Sequence, residues 1–152
     1  MNDIIPIMVA KDLYDRDFFE WTQCNAALLR AGQLDQADIE HIAEEIEDMG
    51  KSQQRELESR LEVLLQHLLK WKLRPDQRGK SWRLTANAQR REIEKLVRKM
   101  PSLKRCLKET VTEAYAYAVR AAADETELPP TSFPEICPFM IEQILDEGFF
   151  PE

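Results

Sequence analysis

One stripe of apolar residues constrains this chain more than any other feature. Between Asp35 and Trp71, Ile39, Ile42, Ile46, Met49, Leu57, Leu61, Leu64, Leu68 and Trp71 recur three or four apart, with Gln53 in the one polar slot. That period puts them on one face of a helix. Asp35 is a candidate N-cap, and Asp38 stands in the first turn near the positive helix end. Leu34 and Ile39 have the spacing of a hydrophobic staple. Arg74-Pro75 closes the run, because proline drives the residue before it out of the α region. A straight helix over 36–73 spans roughly 57 Å at about 1.5 Å per residue. That length exceeds the dimensions of a domain of this size, so the helix either protrudes or breaks. Gly50 is the cheapest breaking point. The unbroken stripe across it favours a continuous helix, straight or bent at Gly50, with a break there as the alternative.

The flanking sequence repeats the pattern and predicts an all-α, single-domain bundle of about five helices around the long one. The helices are expected near 16–31, 36–73, 82–99, 103–124 and 138–147. Asp15, Ser81 and Ser102 are their candidate N-caps, Gly32 closes the first, and Ser132 with Glu135 makes a capping box before Pro138. Tyr14, Phe18, Trp21 and Leu28 stripe the first helix, and Trp82, Ala86, Gln89, Ile93, Leu96 and Met100 the third. Leu103, Cys106, Leu107, Thr110, Ala114, Tyr117, Ala118 and Ala121 stripe the fourth. Residues 1–152 thus read as one domain, with an arm over 1–13, a main bundle over 14–124 and a C-terminal turn and short helix over 125–152. Phe149 and Phe150 are expected to fold back onto the bundle.

Composition excludes several classes. Apolar residues at 43% and charged residues at 32% describe a globular chain, not a disordered one. Cys24, Cys106 and Cys137 are odd in number and fit no disulfide or metal spacing, so they read as reduced thiols in the cytoplasm. The apolar run Ile4–Ala10 is too short to cross a membrane and lacks a basic flank, so no membrane association is expected. Charge is the sharper clue. Residues 1–66 carry a net −9, residues 67–108 a net +11 and residues 109–152 a net −9. The acidic ends either fold against the basic middle or leave it as a surface for nucleic acid. The first is favoured, with Glu44–Asp48 facing basic residues of 70–99.

Several short stretches carry a resemblance. They are Tyr14-Asp15-Arg16-Asp17-Phe18 with Trp21, Ala43-Glu44-Glu45-Ile46-Glu47 with Gly50, His67-Leu68-Leu69-Lys70-Trp71, Ser81-Trp82, Gln89-Arg90, Pro101-Ser102-Leu103, and Phe133-Pro134 through Cys137-Pro138 to Leu145-Asp146-Glu147. In combination they resemble the bacterial domain-of-unknown-function family numbered twenty-nine over nearly the whole chain. The resemblance implies an α-helical, bacterial, cytoplasmic protein and supplies no activity, cofactor or catalytic residues. His41 matches none of its motifs.

Three kinds of chemistry compete. His41, Glu44, Glu45 and Asp48 share a helical face, but the second histidine, His67, has no carboxylate among its helical neighbours. A metal-dependent hydrolase is therefore the least favoured reading, and no metal, cofactor or catalytic residue is assigned. Lys70, Lys72, Arg74, Arg78, Lys80, Arg83 and Arg91 lie near Trp71 and Trp82, a combination that suits nucleic acid. Both tryptophans also fall on core stripes, which weighs against stacking. The favoured reading is a non-enzymatic interaction module that binds another protein or a second copy in a homodimer. Its candidate functional cluster is Glu44, Glu45, Glu47, His67, Lys70, Trp71, Trp82, Gln89 and Arg90. His67 is expected to be neutral, because burial and the Lys70 charge both oppose protonation, and to bond Gln89 or Trp82.

Overall fold

The structure is a computed structural model that describes residues 7–152; Ile4, Ile5 and the rest of 1–6, the first part of the expected arm, lie outside the described residues. Its elements are six α-helices and three short 3₁₀ turns, with no strand among the described residues. The helices are α1 (Ile7–Arg16), α2 (Phe18–Arg30), α3 (Ile39–Leu73), α4 (Lys80–Lys99), α5 (Leu107–Thr126) and α6 (Ile141–Leu145). The all-α expectation with one long central helix holds. The chain divides into two compact units, Met1–Lys51 and Ser52–Glu152, and α3 contributes to both.

In the first unit, the helix expected over 16–31 is α2, which starts two residues later, and a further helix, α1, precedes it. Asp17 separates them, and its carboxylate accepts the Glu20 amide at 3.1 Å as the true N-cap of α2. Residues of the expected arm from Ile7 onward are helical. Gly32 closes α2 as expected, with a φ of 72° that only glycine adopts without strain. Asp35 does not cap α3; it is exposed, and Asp38 opens the helix by accepting the Ile42 amide at 3.0 Å. The Leu34–Ile39 staple is absent, since both side chains are exposed. The core here is small: Cys24, Leu28 and Ala37, with Leu13 and Ile42 against them.

Helix α3 is continuous through Gly50, about 52 Å for its 35 residues. Its stripe changes character on the way. Leu57, Leu61, Leu64, Leu68 and Trp71 are buried, whereas Ile39, Ile46 and Met49 are exposed. The one period thus describes a packed face in the second half and a largely open one in the first.

The second unit holds the large core. Leu57, Leu61, Leu64, Leu65, Leu68 and Leu69 of α3 pack with Ala86, Ile93 and Leu96 of α4 and with Ala114, Ala118 and Ala122 of α5. The α5 alanines at 114, 118 and 122 are fully buried in this core. Tyr117 departs from its assigned stripe: it is exposed, and Tyr115 is buried instead. The caps also differ. Helix α4 starts at Lys80 after Gly79, so Ser81 lies inside it. Ser102 belongs to a 3₁₀ turn over Pro101–Cys106, which delays α5 to Leu107. The Ser132–Glu135 box is replaced by a 3₁₀ turn over Pro130–Ser132, and the last helix shrinks to Ile141–Leu145. Phe149 and Phe150 do fold back: Phe150 sits 4.7 Å from Trp71 and Phe149 5.9 Å from Phe139, between ring centres.

Candidate functional site

In the second unit, the sequence His67–Trp71 places two side chains of different fate on the last turns of α3. Lys70 is 4% exposed and forms an ion pair with Glu125 of α5. Its ammonium also lies 4.8 Å from the centre of the Trp82 ring on α4. The Lys70 hydrogen bond holds the Glu125 carboxyl below its usual range against the opposing effect of burial. His67 does not bond Gln89 or Trp82; its Nδ1 donates to the Val63 carbonyl one turn back at 2.8 Å. Burial is the main cause of its lowered pKa and the Lys70 charge adds to it, so the imidazole is neutral at pH 7, as anticipated. Gln89 accepts from Arg60 at 3.4 Å instead.

A second cluster forms around Trp71, which is buried. Phe150 covers one side, and the guanidinium groups of Arg78 and Arg83 lie 5.5 and 5.6 Å from its ring centre. Arg78 is fixed there by donating to the Trp71 carbonyl at 2.7 Å. Arg90 is 2% exposed and meets no carboxylate. It donates to the carbonyls of Gln143, Ile144 and Phe149 and to Asn87 Oδ1, at 2.7–3.2 Å. Those carbonyls lie at and beyond the end of α6, where helical partners run out; Gln143 O also accepts the Asp146 amide, and Arg90 supplies the donor at Ile144 and Phe149. Its role is to hold the C-terminal segment.

The remaining basic candidates are partly occupied. Arg74 pairs with Asp76 at 3.6 Å and Arg91 with Glu147 at 2.8 Å, while Lys72 lies 5.9 Å from the Phe139 ring centre. Lys80 and Arg83 are exposed. Glu125 and Glu147 come from the acidic C-terminal third, so that part of the expected charge match with the basic middle is present. The other acidic partners are local: Asp76, Glu92 and Glu94.

Glu44, Glu45 and Glu47 belong to the first unit, on α3. Glu44 and Glu47 are exposed, while Glu45 accepts the Tyr14 hydroxyl at 2.6 Å. That bond, with burial and the nearby carboxylates, pushes the Tyr14 phenol up to about 12. Tyr14 in turn stacks on His41, 3.9 Å between ring centres and 12° from parallel. His41 Nδ1 donates to Asp38 Oδ2 at 2.6 Å, and the same oxygen accepts the Trp21 indole N–H at 3.0 Å. Asn25 completes the set by accepting the Asp38 amide at 2.8 Å. Burial alone would raise the Asp38 carboxyl, but the bonds from Trp21 and His41 outweigh it and leave it below its ordinary value. Asp38 in return raises His41. Tyr14, Trp21, Asn25, Asp38 and His41 were not among the nominated residues. The signal available was Asp38 three residues before His41, the i, i+3 spacing of a helical pair.

Among the described residues, no group of three His, Cys, Asp or Glu side chains is placed to hold a metal ion, and no helix is long and apolar enough to cross a membrane. No curated protein and no solved structure matches the chain. A family model does match, over residues 13–150, a span that includes both clusters and the Tyr14–Asp38 network, and the chain therefore belongs to that family, Domain of unknown function DUF29.

Proposed function

We propose that this protein is a helical interaction module whose docking face is the first half of α3. One observation carries the reading: the stripe that forms the core from Leu57 onward stands open at Ile39, Ile46 and Met49, which are 49, 62 and 68% exposed. Large apolar side chains aligned along a helix mark a surface that gains by being covered. The same stretch, Ile39–Lys51, carries five carboxylates against one lysine. Like charges oppose pairing of this face with another acidic helix, so its occupant is an amphipathic helix with lysine or arginine beside an apolar seam. A cytoplasmic setting, in keeping with the three free thiols, is part of this proposal.

The burial of Trp71 and the Lys70 ammonium over one face of the half-buried Trp82 support this reading over base stacking. The test is titration of a labelled synthetic helix with a leucine seam and lysine flanks, followed by anisotropy. Ile46→Glu with Met49→Glu should weaken binding at least tenfold, about 1.4 kcal/mol, and rising salt should weaken wild-type binding. Equal binding to wild type, variant and a scrambled peptide would sink the proposal.

A further inference from the structure

We infer that the occupant of the open α3 stripe is a second copy of this chain, which receives it in the groove between α4 and α5. This inference rests on the interaction reading above and names the partner. The groove holds about 460 Å³ and is floored by Ile93, Val97, Leu107 and Leu145, with Lys104 at its rim beside Arg98, which is paired to Glu94 at 2.8 Å. That volume lies within the roughly 300–1,000 Å³ of clefts that receive apolar groups. The chain around it, Lys95–Lys108, carries six basic residues and no acidic one. Lys99, Lys104, Arg105 and Lys108 are exposed and have no ion-pair partner among the described residues.

Stripe and groove therefore match in two independent respects. Each offers apolar surface, Ile46 and Met49 on one side and the groove floor on the other. Their flanks are opposite in sign, five carboxylates against the four cations, Lys99, Lys104, Arg105 and Lys108, that remain after Lys95 and Arg98 pair with Glu92 and Glu94. Stripe-to-stripe or groove-to-groove pairing would set like charges against each other, so the complementary arrangement is head to tail. Such a contact uses different surfaces on the two copies. It closes as a two-fold dimer where each stripe enters the other copy's groove, and otherwise runs on into a larger ring or a chain.

Sedimentation velocity over a hundredfold concentration range tests this. The wild type should form dimers or larger species at low salt and dissociate at high salt. Ile46→Glu with Met49→Glu removes the stripe, and Lys104→Glu with Arg105→Glu removes the groove; these exposed positions leave the core untouched. Each variant alone should be monomeric. An equimolar mixture should form dimers and stop there, because only one intact stripe and one intact groove can meet. A wild type that stays monomeric overturns the inference. So does a mixture that fails to associate, or assembly abolished by nuclease, which would assign the basic run to nucleic acid. If the wild type is monomeric yet binds the lysine-flanked helix through Ile46 and Met49, the interaction reading survives without this partner. Loss of both results rejects the two together.

Discussion

Asp38 and His41 tie the stability of the first unit to pH. The Asp38 carboxylate raises His41 above its ordinary 6.5, and Asp15 and Glu44 push the same way, while burial opposes. A raised histidine contributes stability that is complete below 6.5 and is lost as pH climbs through its folded value. Asp38 is depressed below its ordinary 3.8, so its contribution is complete above that value and is lost as pH falls through the lower one. Stability should therefore peak between these two ordinary values and decline on the alkaline side. His67 does not imitate the decline, since a lowered histidine destabilises only on the acid side. In His41→Phe, which keeps a ring against Tyr14, the alkaline decline in melting temperature should disappear. A decline of unchanged slope would place its origin elsewhere. Little of this network was legible in the sequence. Asp38 reads there as a first-turn carboxylate, because its indole and amide partners, Trp21 and Asn25, are 17 and 13 residues away. The Lys70–Glu125 pair, 55 residues apart, was hidden for the same reason.

At the scale of elements, periodicity served well and caps did not. The apolar repeat located the main helices, and the Arg74-Pro75 stop ended α3 at Leu73 as expected. Helix starts moved: the Asp17 carboxylate reaches the Glu20 amide in place of Asp15, and α3 and α4 open on the backbone carbonyls of Asp38 and Gly79, with no cap from Asp35 or Ser81. Periodicity was equally unable to say that half of the α3 stripe is open, since the same spacing describes a face awaiting a partner and one already packed. Gly50 gives a direct test of α3. It sits inside the helix, and a Cβ there would meet nothing within 4 Å. Gly50→Ala should raise stability to urea by about 0.5–1 kcal/mol, the usual cost of glycine in a helix interior. A loss of stability would show that the glycine is needed for a bend.

The whole molecule is uneven in what holds it together. The second unit buries a leucine-rich core of α3, α4 and α5, whereas the first relies on three buried side chains, two partly buried neighbours and the Trp21–Asp38 network. Apolar burial supplies most folding free energy, and a unit of about fifty residues lacks the interior to be independently stable by a wide margin. We propose that residues 1–152 nonetheless unfold as one domain, with the first unit opening locally below the global transition. Native-state hydrogen exchange separates these events. Amides of α2 and of α3 up to Lys51 should exchange through a lower-energy opening than those between Leu57 and Trp71. Leu64→Ala, at a fully buried position, should cost about 2–5 kcal/mol. It should lower the protection of the Leu57–Trp71 amides by that amount and leave the local opening of α2 nearly unchanged. Trp21→Phe removes the indole donor to Asp38 and should do the reverse, accelerating exchange in α2 and the start of α3 while the second unit keeps its protection. Uniform protection along all of α3, responding equally to both substitutions, would mean that the long helix opens only as a whole and that the small first core is as secure as the large one.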